Sequence, residues 1–351
     1  MRAIFLMMVG LIIGLGAGIF AVHKEPTKTL ITTHLGPYLG STETNPEPHL
    51  RLKDGETHLS AEALSDVGIE SCFPRQETAA LAERPWLNRD VGAAGLYDAA
   101  DLPLSPDLTD YPGLIKIEGI RSPLGTEREH CAAVRVSEHW FLTAAHCIID
   151  LDITTARPTF DVIAVSPSSD VRSPETQVEP LTGAVCHAAY GMNSQQYPND
   201  IALFYVEETD AFLNVEIAPL EAAEAGLLPA DFQNTYVSGW GKNGGTRYLQ
   251  GGAVAMAEIG EAVLIADRVG AKGPNVGDSG APLYLETADG PLVIGTLSQV
   301  TQDLNEDGDR SIYIRTKAVR DWIERTMTIC EQDGAYVCLQ PNMSSSIANN
   351  P

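Results

Sequence analysis

Short apolar runs broken by turn residues dominate the chain from about Tyr111 onward. Leu114–Ile117, Ala132–Val136, Trp140–Thr143, Ile201–Val206, Tyr236–Gly239, Ala281–Leu285, Leu292–Leu297 and Ile312–Ile314 are rich in β-branched, aromatic or aliphatic residues and sit between clusters of Gly, Pro, Asn, Asp and Ser. Many short strands at such spacing predict an all-β sandwich or barrel. The period changes once, near the end. Val319, Trp322 and Ile323 recur at helical spacing within Lys317–Met327, which predicts a terminal helix. Beyond it, residues 329–351 form a tail that holds Cys330, Cys338 and a polar run, Asn342–Pro351, expected to fray.

Upstream the texture is different. From His23 to about Leu104 the sequence is polar, punctuated by Pro and weakly periodic, and its short apolar run Leu59–Ile69 predicts a single helix at most. Residues 23–104 therefore suit a pro-region or N-terminal extension with too few bulky apolar residues for a core, although Cys72 can tie it covalently to the body. Residues 1–22 begin with Met1 and Arg2 and continue as an apolar stretch from Ala3 to Val22. That is the pattern of an export signal, either a cleaved signal peptide or an uncleaved anchor, since about 20 apolar residues reach across a bilayer. Membrane contact is expected only if the segment is retained. No internal repeat interrupts this order.

Composition narrows the picture. A chain of 351 residues accommodates one catalytic domain with appendages. Its formal charge of -24, from 47 acidic against 23 basic residues, excludes a polyphosphate partner and so nucleic acid, and gives a self-repelling surface suited to a salty or extracellular medium. Export into a secreted or periplasmic setting makes disulfides the first reading of the six cysteines. No CxxC or HxxxH spacing points to a metal.

Three segments carry chemistry. Residues 141–147, FLTAAHC, deliver His146 just past a strand, with Cys131 in the strand before it; a Cys131–Cys147 bridge would close a short loop, stabilise by about 3 kcal/mol and hold the histidine in place. Residues 199–203, NDIAL, put Asp200 at the head of an apolar strand, where a carboxylate is partly buried and needs a donor. Residues 277–282, GDSGAP, put Ser279 in a tight turn whose glycines let backbone N–H groups converge. Acyl transfer needs this set: a serine hydroxyl is a weak nucleophile until a base takes its proton, and a buried carboxylate must hold that base in one tautomer. The developing oxyanion needs preorganised donors, here the N–H groups of Gly277 and Ser279.

The segments TAAHC (143–147), NDIAL (199–203), VSGWG (237–241) and GDSG (277–280) resemble the trypsin and chymotrypsin family of serine peptidases, in that family's order of His, Asp, Ser. The resemblance places a peptidase domain at residues 105–328. It implies two packed six-stranded antiparallel barrels with His146, Asp200 and Ser279 in the cleft between them, Ser298 supporting Asp200, and Leu292–Ser298 pairing with substrate backbone. The implied activity is hydrolysis of polypeptide through an acyl-enzyme, with no cofactor. His187 is expected to be structural, and Gly239 and Trp240 to shape a packed turn. The fold by itself also suits a noncatalytic binding or regulatory protein, and the intact triad favours the enzyme.

Several features depart from the family pattern. Its members are activated by cleavage before an apolar residue whose new amino group pairs with the aspartate before the serine, here Asp278, which implies an activating protease as a partner. No Ile-Val-Gly-Gly start precedes Cys131; Arg89 followed by DVGAAG is the nearest approach. For the remaining cysteines three connectivities exist, and short spacing favours Cys330–Cys338, leaving Cys72 for Cys186. Residues 303–309, DLNEDGD, resemble half a calcium loop, but Ile314 stands where the closing glutamate belongs, so a solvated acidic turn without metal is expected. Counting from Ser279 and Ser298 puts Gly273 at the floor of the specificity pocket, with Ser298, Val300 and Ser311 around it. Cleavage after small or medium apolar residues such as Ala or Val follows, with Lys, Arg and Trp disfavoured, unless Asp303, Asp307 or Asp309 folds in to supply a negative charge.

Overall fold

Two sets of antiparallel ladders organise the computed structural model, which describes residues 50–52, 58–72, 108–120, 128–149, 163–165, 170–171, 173, 176–190, 199–207, 209–241, 248–269, 273–275, 277–302 and 309–338. All of them belong to one compact unit. The first set comprises β1 (Ile69–Ser71), β2 (Leu114–Ile120), β3 (Arg128–Arg135), β4 (Trp140–Thr143), β5 (Ile163–Val165), β6 (Val178–Pro180), β7 (Gly183–His187) and β8 (Ala202–Tyr205). They pair in the order β1-β7-β8-β4-β3-β2-β5-β6. Only Leu181 and Thr182 separate β6 from β7 along the chain, so the chain itself joins the two flanks of the sheet into a ring. The second set is a closed six-stranded barrel, β10-β11-β14-β13-β12-β9. Its strands are β9 (Thr235–Gly239), β10 (Gln250–Ile259), β11 (Val263–Arg268), β12 (Pro282–Thr287), β13 (Gly290–Gln302) and β14 (Asp309–Arg315). This is the expected all-β, two-barrel architecture, and helix α3 (Thr316–Cys330) closes it.

Apolar alternation and aromatic stacking fix both halves. Phe141 of β4 stacks on Phe204 of β8 with ring centroids 5.1 Å apart, and Phe212 meets the same ring edge-on at 5.2 Å, which fills the first barrel. The connection between the barrels is pinned at both ends. Arg135 Nη1 donates to the carbonyls of Phe212 (2.6 Å) and Val215 (2.8 Å), and Arg315 forms a buried bidentate pair with Glu221, at 2.7 and 3.1 Å. Helix α3 buries Val319, Trp322, Ile323, Thr326 and Ile329, one stripe at i, i+3, i+4 and i+7 spacing.

Part of the N-terminal extension is built into this body. Helix α1 (Ala61–Asp66) starts at Ser60, whose Oγ accepts the Ala63 N–H at 3.2 Å. It is shorter than the run Leu59–Ile69, because Gly68 turns the chain at φ 76° and Ile69 enters β1 against β7. Leu59, Leu64 and Ile69 are too few for a core of their own, but they are buried in the core that Trp322, Val337 and the second barrel supply. Trp322 Nε1 donates to the Gly68 carbonyl at 3.1 Å, and Leu59 N–H donates to Val337 O at 2.7 Å. The cystines are Cys72–Cys186, Cys131–Cys147 and Cys330–Cys338. Residues 1–22, read above as an export signal, the candidate start after Arg89, residues 303–308 of the acidic turn and polar run 342–351 lie outside the described residues.

A covalent consequence follows. Any cut between residues 73 and 107 leaves two chains joined by Cys72–Cys186. Material processed there is expected to run as one band without reductant and as two bands with it. Dissociation without reductant would contradict this pairing.

Candidate active site

His146 stands in the short helix α2 (Ala145–Ile149), directly after β4. Its Nδ1 lies 2.7 Å from Asp200 Oδ2, and its backbone N–H donates to Asp200 Oδ1 at 3.0 Å, so one carboxylate grips both the ring and the main chain. Asp200 follows Asn199, which adopts φ 77°, a left-handed conformation that asparagine tolerates better than most side chains. Ile201 N–H closes that turn onto Asn199 O at 2.8 Å, and β8 begins one residue later.

A third group comes from the other barrel. Between Leu297 and Gln299 the β13–β14 register shifts, leaving Ser298 as an extra residue. Such a bulge re-aims its side chain. Here Ser298 Oγ donates to Asp200 Oδ2 at 2.6 Å. Asp200 is 2% exposed, and burial, the largest influence, pushes its pKa up. The His146 charge, the hydrogen bonds from His146 and Ser298, and the His146 amide outweigh that, so the net direction is down and the carboxylate stays ionised.

Ser279 sits on the adjoining turn, and its hydroxyl is not part of that hydrogen-bonded chain. The turn is pressed against the segments that carry His146. Ala132 N–H donates to Ser279 O at 2.7 Å, and Ala132 adjoins Cys131, whose cystine partner Cys147 adjoins His146. Gly280 has φ 79°, and a Cβ there would run into Ala132 O and the Thr143 hydroxyl, which is why the motif ends in glycine. Gly277 also needs its freedom, at φ 96°. The amides of Asp278, Gly280 and Ala281 each donate to a backbone carbonyl, whereas among the described residues those of Gly277 and Ser279 do not.

Asp278, 1% exposed, has backbone partners beneath the turn: Oδ1 accepts Gly241 N–H at 2.7 Å and Oδ2 accepts Asn275 N–H at 2.9 Å. Gly239 leaves room for it, since a Cβ at 239 would strike Asp278 Oδ1. The glycines of VSGWG thus serve the aspartate as well as the buried Trp240 turn.

The residues counted as the specificity pocket lie on neighbouring segments of the second barrel. Gly280 N–H donates to Leu297 O (2.7 Å), which puts Ser298 next to the serine turn. Half-buried Val300 pairs with Ser311 across β13–β14, Ser311 pairs with Ala266 across β14–β11, and Gly273 leads back through Asn275 to Asp278. One expectation needs correction. Leu292–Thr296 is already flanked on both sides, by β12 and by Pro219–Glu221 or β14, and so cannot take a substrate strand. Pairing with β12 ends at Thr296, so among the described residues the open edge of β13 runs from Ser298 to Gln302. The side chain of Arg268 packs on Gly273.

Cys131, His146 and Cys147 bring their ligand atoms within 4.8 Å of one another, but both sulfurs are spent in a disulfide and offer no thiolate to a metal. His187 has structural contacts. Its Nδ1 accepts Ala189 N–H at 3.2 Å and its ring lies 5.3 Å from that of Trp322. Burial, and after it the Arg325 charge, hold its pKa below the ordinary 6.5. The unfolded chain takes this proton first, so the contribution to stability is intact above pH 6.5 and lost as pH falls through the folded value. His187→Gln is expected to flatten the fall in Tm below that pH; an unchanged slope would contradict the assignment.

Comparison with known proteins bears on this geometry. The family model described as Trypsin matches residues 119–323. A collagenase of Hypoderma lineatum is 28% identical over 239 residues, covering 62% of this chain and 85% of that protein. A phenoloxidase-activating enzyme 1 of Spodoptera litura is 24% identical over 328 residues, covering 85% of this chain and 86% of its own. Among solved structures, an inactivated protease paralogue of the scabies mite, S-I1, aligns with a TM-score of 0.51 at 17% identity, covering 64% of this chain and 98% of that one; it bears on the fold alone. No helix among the described residues is long and apolar enough to cross a membrane.

Proposed function

The chain belongs to the trypsin family of serine proteases, and from that premise we propose that it is an exported endopeptidase whose nucleophile is Ser279, with His146 as general base and Asp200 as the group that orients it. The observation that carries the reading is the shared carboxylate: Asp200 Oδ2 accepts from both His146 Nδ1 and Ser298 Oγ, at 2.7 and 2.6 Å, while shut off from water. An ionised acceptor at Nδ1 selects the tautomer with hydrogen there and leaves a lone pair on Nε2.

The chemistry then runs in two halves. Ser279 Oγ attacks the scissile carbonyl carbon as Nε2 takes its proton, and the carbonyl oxygen becomes an oxyanion. The Gly277 and Ser279 amides, which serve no backbone acceptor among the described residues, receive that charge; one such donor is worth about 3–4 kcal/mol of transition-state stabilisation. Collapse breaks the C–N bond, and the amine leaves with the proton from Nε2. Water, deprotonated by the same nitrogen, cleaves the acyl ester and regenerates the hydroxyl. The edge of β13 from Ser298 to Gln302 would hold the substrate's backbone as an added strand.

Export is supported by the cystines, which suit an oxidising, secreted or periplasmic setting. An activating protease is part of the proposal to the extent that a cut in residues 73–107 is needed. Proteolysis by the secreted chain, abolished by an active-site serine reagent, is the expected result; activity unaffected by the reagent would overturn the assignment of the nucleophile.

A further inference from the structure

The nucleophile turn and the strand that leads to His146 meet at one residue of β3. Strand β3 pairs with β4 through Val134 opposite Leu142 and Arg135 opposite Phe141. Ala132, the next residue on the same face, pairs on its other side with Lys116 of β2. On the side that faces β4, its N–H crosses to the second barrel and donates to Ser279 O at 2.7 Å. Its carbonyl accepts the Thr143 hydroxyl at 2.8 Å. A side-chain donor thus stands where the next backbone donor of the β3–β4 ladder would come.

Thr143 is fully buried, and each of its connections leads to a different part of the site. It is the last residue of β4, opposite Ala202 at the start of β8, two residues after Asp200. Along the chain it leads through Ala144 and Ala145 into His146. Across the barrel boundary, a Cβ on Gly280 would run into both Ala132 O and Thr143 Oγ1, so the hydroxyl lies directly against the turn that carries Ser279. The far side of that turn is held by Gly280 N–H on Leu297 O at 2.7 Å and by Leu297 N–H on Ala281 O at 2.8 Å. One hydroxyl therefore touches both the strand that sets the base and the turn that sets the nucleophile.

We propose that Thr143 is a positioning residue for the nucleophile: its hydroxyl fixes Ala132, and through the Ala132 N–H it fixes where Ser279 stands relative to His146. A buried carbonyl stripped of its donor is costly. Without the hydroxyl the Ala132 carbonyl is answered by a shift of β3 or by an entering water, and Ser279 O, bonded to the same residue, is displaced with it. The inference rests on the endopeptidase reading above.

The test uses the purified full-length chain, with steady-state peptide hydrolysis and capture by a fluorophosphonate followed as both a rate and a final extent. Thr143→Val, which keeps the shape and removes the hydroxyl, is expected to lower kcat and the capture rate by about 100-fold each, the size of an ångström-scale misplacement, with KM held within about threefold and the extent of capture unchanged. Thr143→Ser, which returns the donor, is expected to recover most of both rates. A role in stability alone predicts wild-type rates in a smaller capturable fraction with a lower Tm; that result overturns the inference and leaves the endopeptidase reading standing. An equal loss of rate in Thr143→Ser overturns it too, because the hydroxyl would then not be the determinant. If Thr143→Val does not fold, Thr143→Ala takes its place with the same expected rates, and failure of both to fold assigns the hydroxyl to stability and sinks the inference. A wild-type chain that shows neither capture nor hydrolysis would remove the endopeptidase reading and the inference with it.

Discussion

Ser279→Ala is expected to lower kcat by about a millionfold while the protein folds and binds peptide as before. The magnitude follows from the way triad members act as a unit, so that losing the nucleophile costs about as much as losing all three. The substitution is mild in packing terms. The backbone bonds that place the turn, Ala132 N–H to Ser279 O and Gly280 N–H to Leu297 O, are main-chain contacts that alanine keeps. Steady-state hydrolysis with an unchanged Tm checks it. Turnover above about a tenth of wild type would mean that another group attacks the substrate.

Asp200→Asn is expected to cost about ten-thousandfold in kcat, the loss known for the same substitution in a Ser-His-Asp triad. The carboxylate accepts three hydrogen bonds, from His146 N–H at 3.0 Å, His146 Nδ1 at 2.7 Å and Ser298 Oγ at 2.6 Å. An amide has one acceptor oxygen and a donating nitrogen. Keeping the oxygen at the Oδ1 position, where the His146 amide needs an acceptor, puts the nitrogen at the Oδ2 position facing both Nδ1 and Ser298 Oγ, so the ring carries its hydrogen on Nε2, where it cannot take a proton from serine. A pH–rate profile separates this effect from simple loosening. The wrong tautomer lowers the plateau itself, whereas a loss confined to KM would contradict the orienting role.

The parts of the site that lie in contiguous segments were legible in the sequence. TAAHC, NDIAL and GDSG each pack a functional group with the glycine, alanine or cysteine that its local geometry demands, and the pairing of Ser298 with Asp200 followed from the family resemblance. The strand runs at Trp140–Thr143 and Tyr236–Gly239 match β4 and β9 to within a residue because their apolar residues are buried on both faces. Strands β10 and β11 escaped notice. Gln250–Ile259 is mostly Gly, Ala, Gln, Met and Glu, with Val254 and Ile259 as its β-branched residues, so its own β-propensity is low and it exists because β9 and β11 flank it. With β11 unrecognised, the alternation Leu264, Ala266, Arg268 had no face to be assigned to, and the arginine behind Gly273 stayed hidden. The docking of residues 58–72 was illegible for another reason. Three apolar residues look like a poor core until Trp322 and Val337, some 250 residues away, are brought against them.

The most direct test of the triad is the site and rate of covalent capture by a fluorophosphonate, located by peptide mapping of the purified chain. A single adduct on Ser279 is predicted, with a capture rate about a thousandfold lower in His146→Ala, since the reagent needs the same proton transfer as substrate. An adduct on any other residue, or a rate indifferent to His146, would contradict the account.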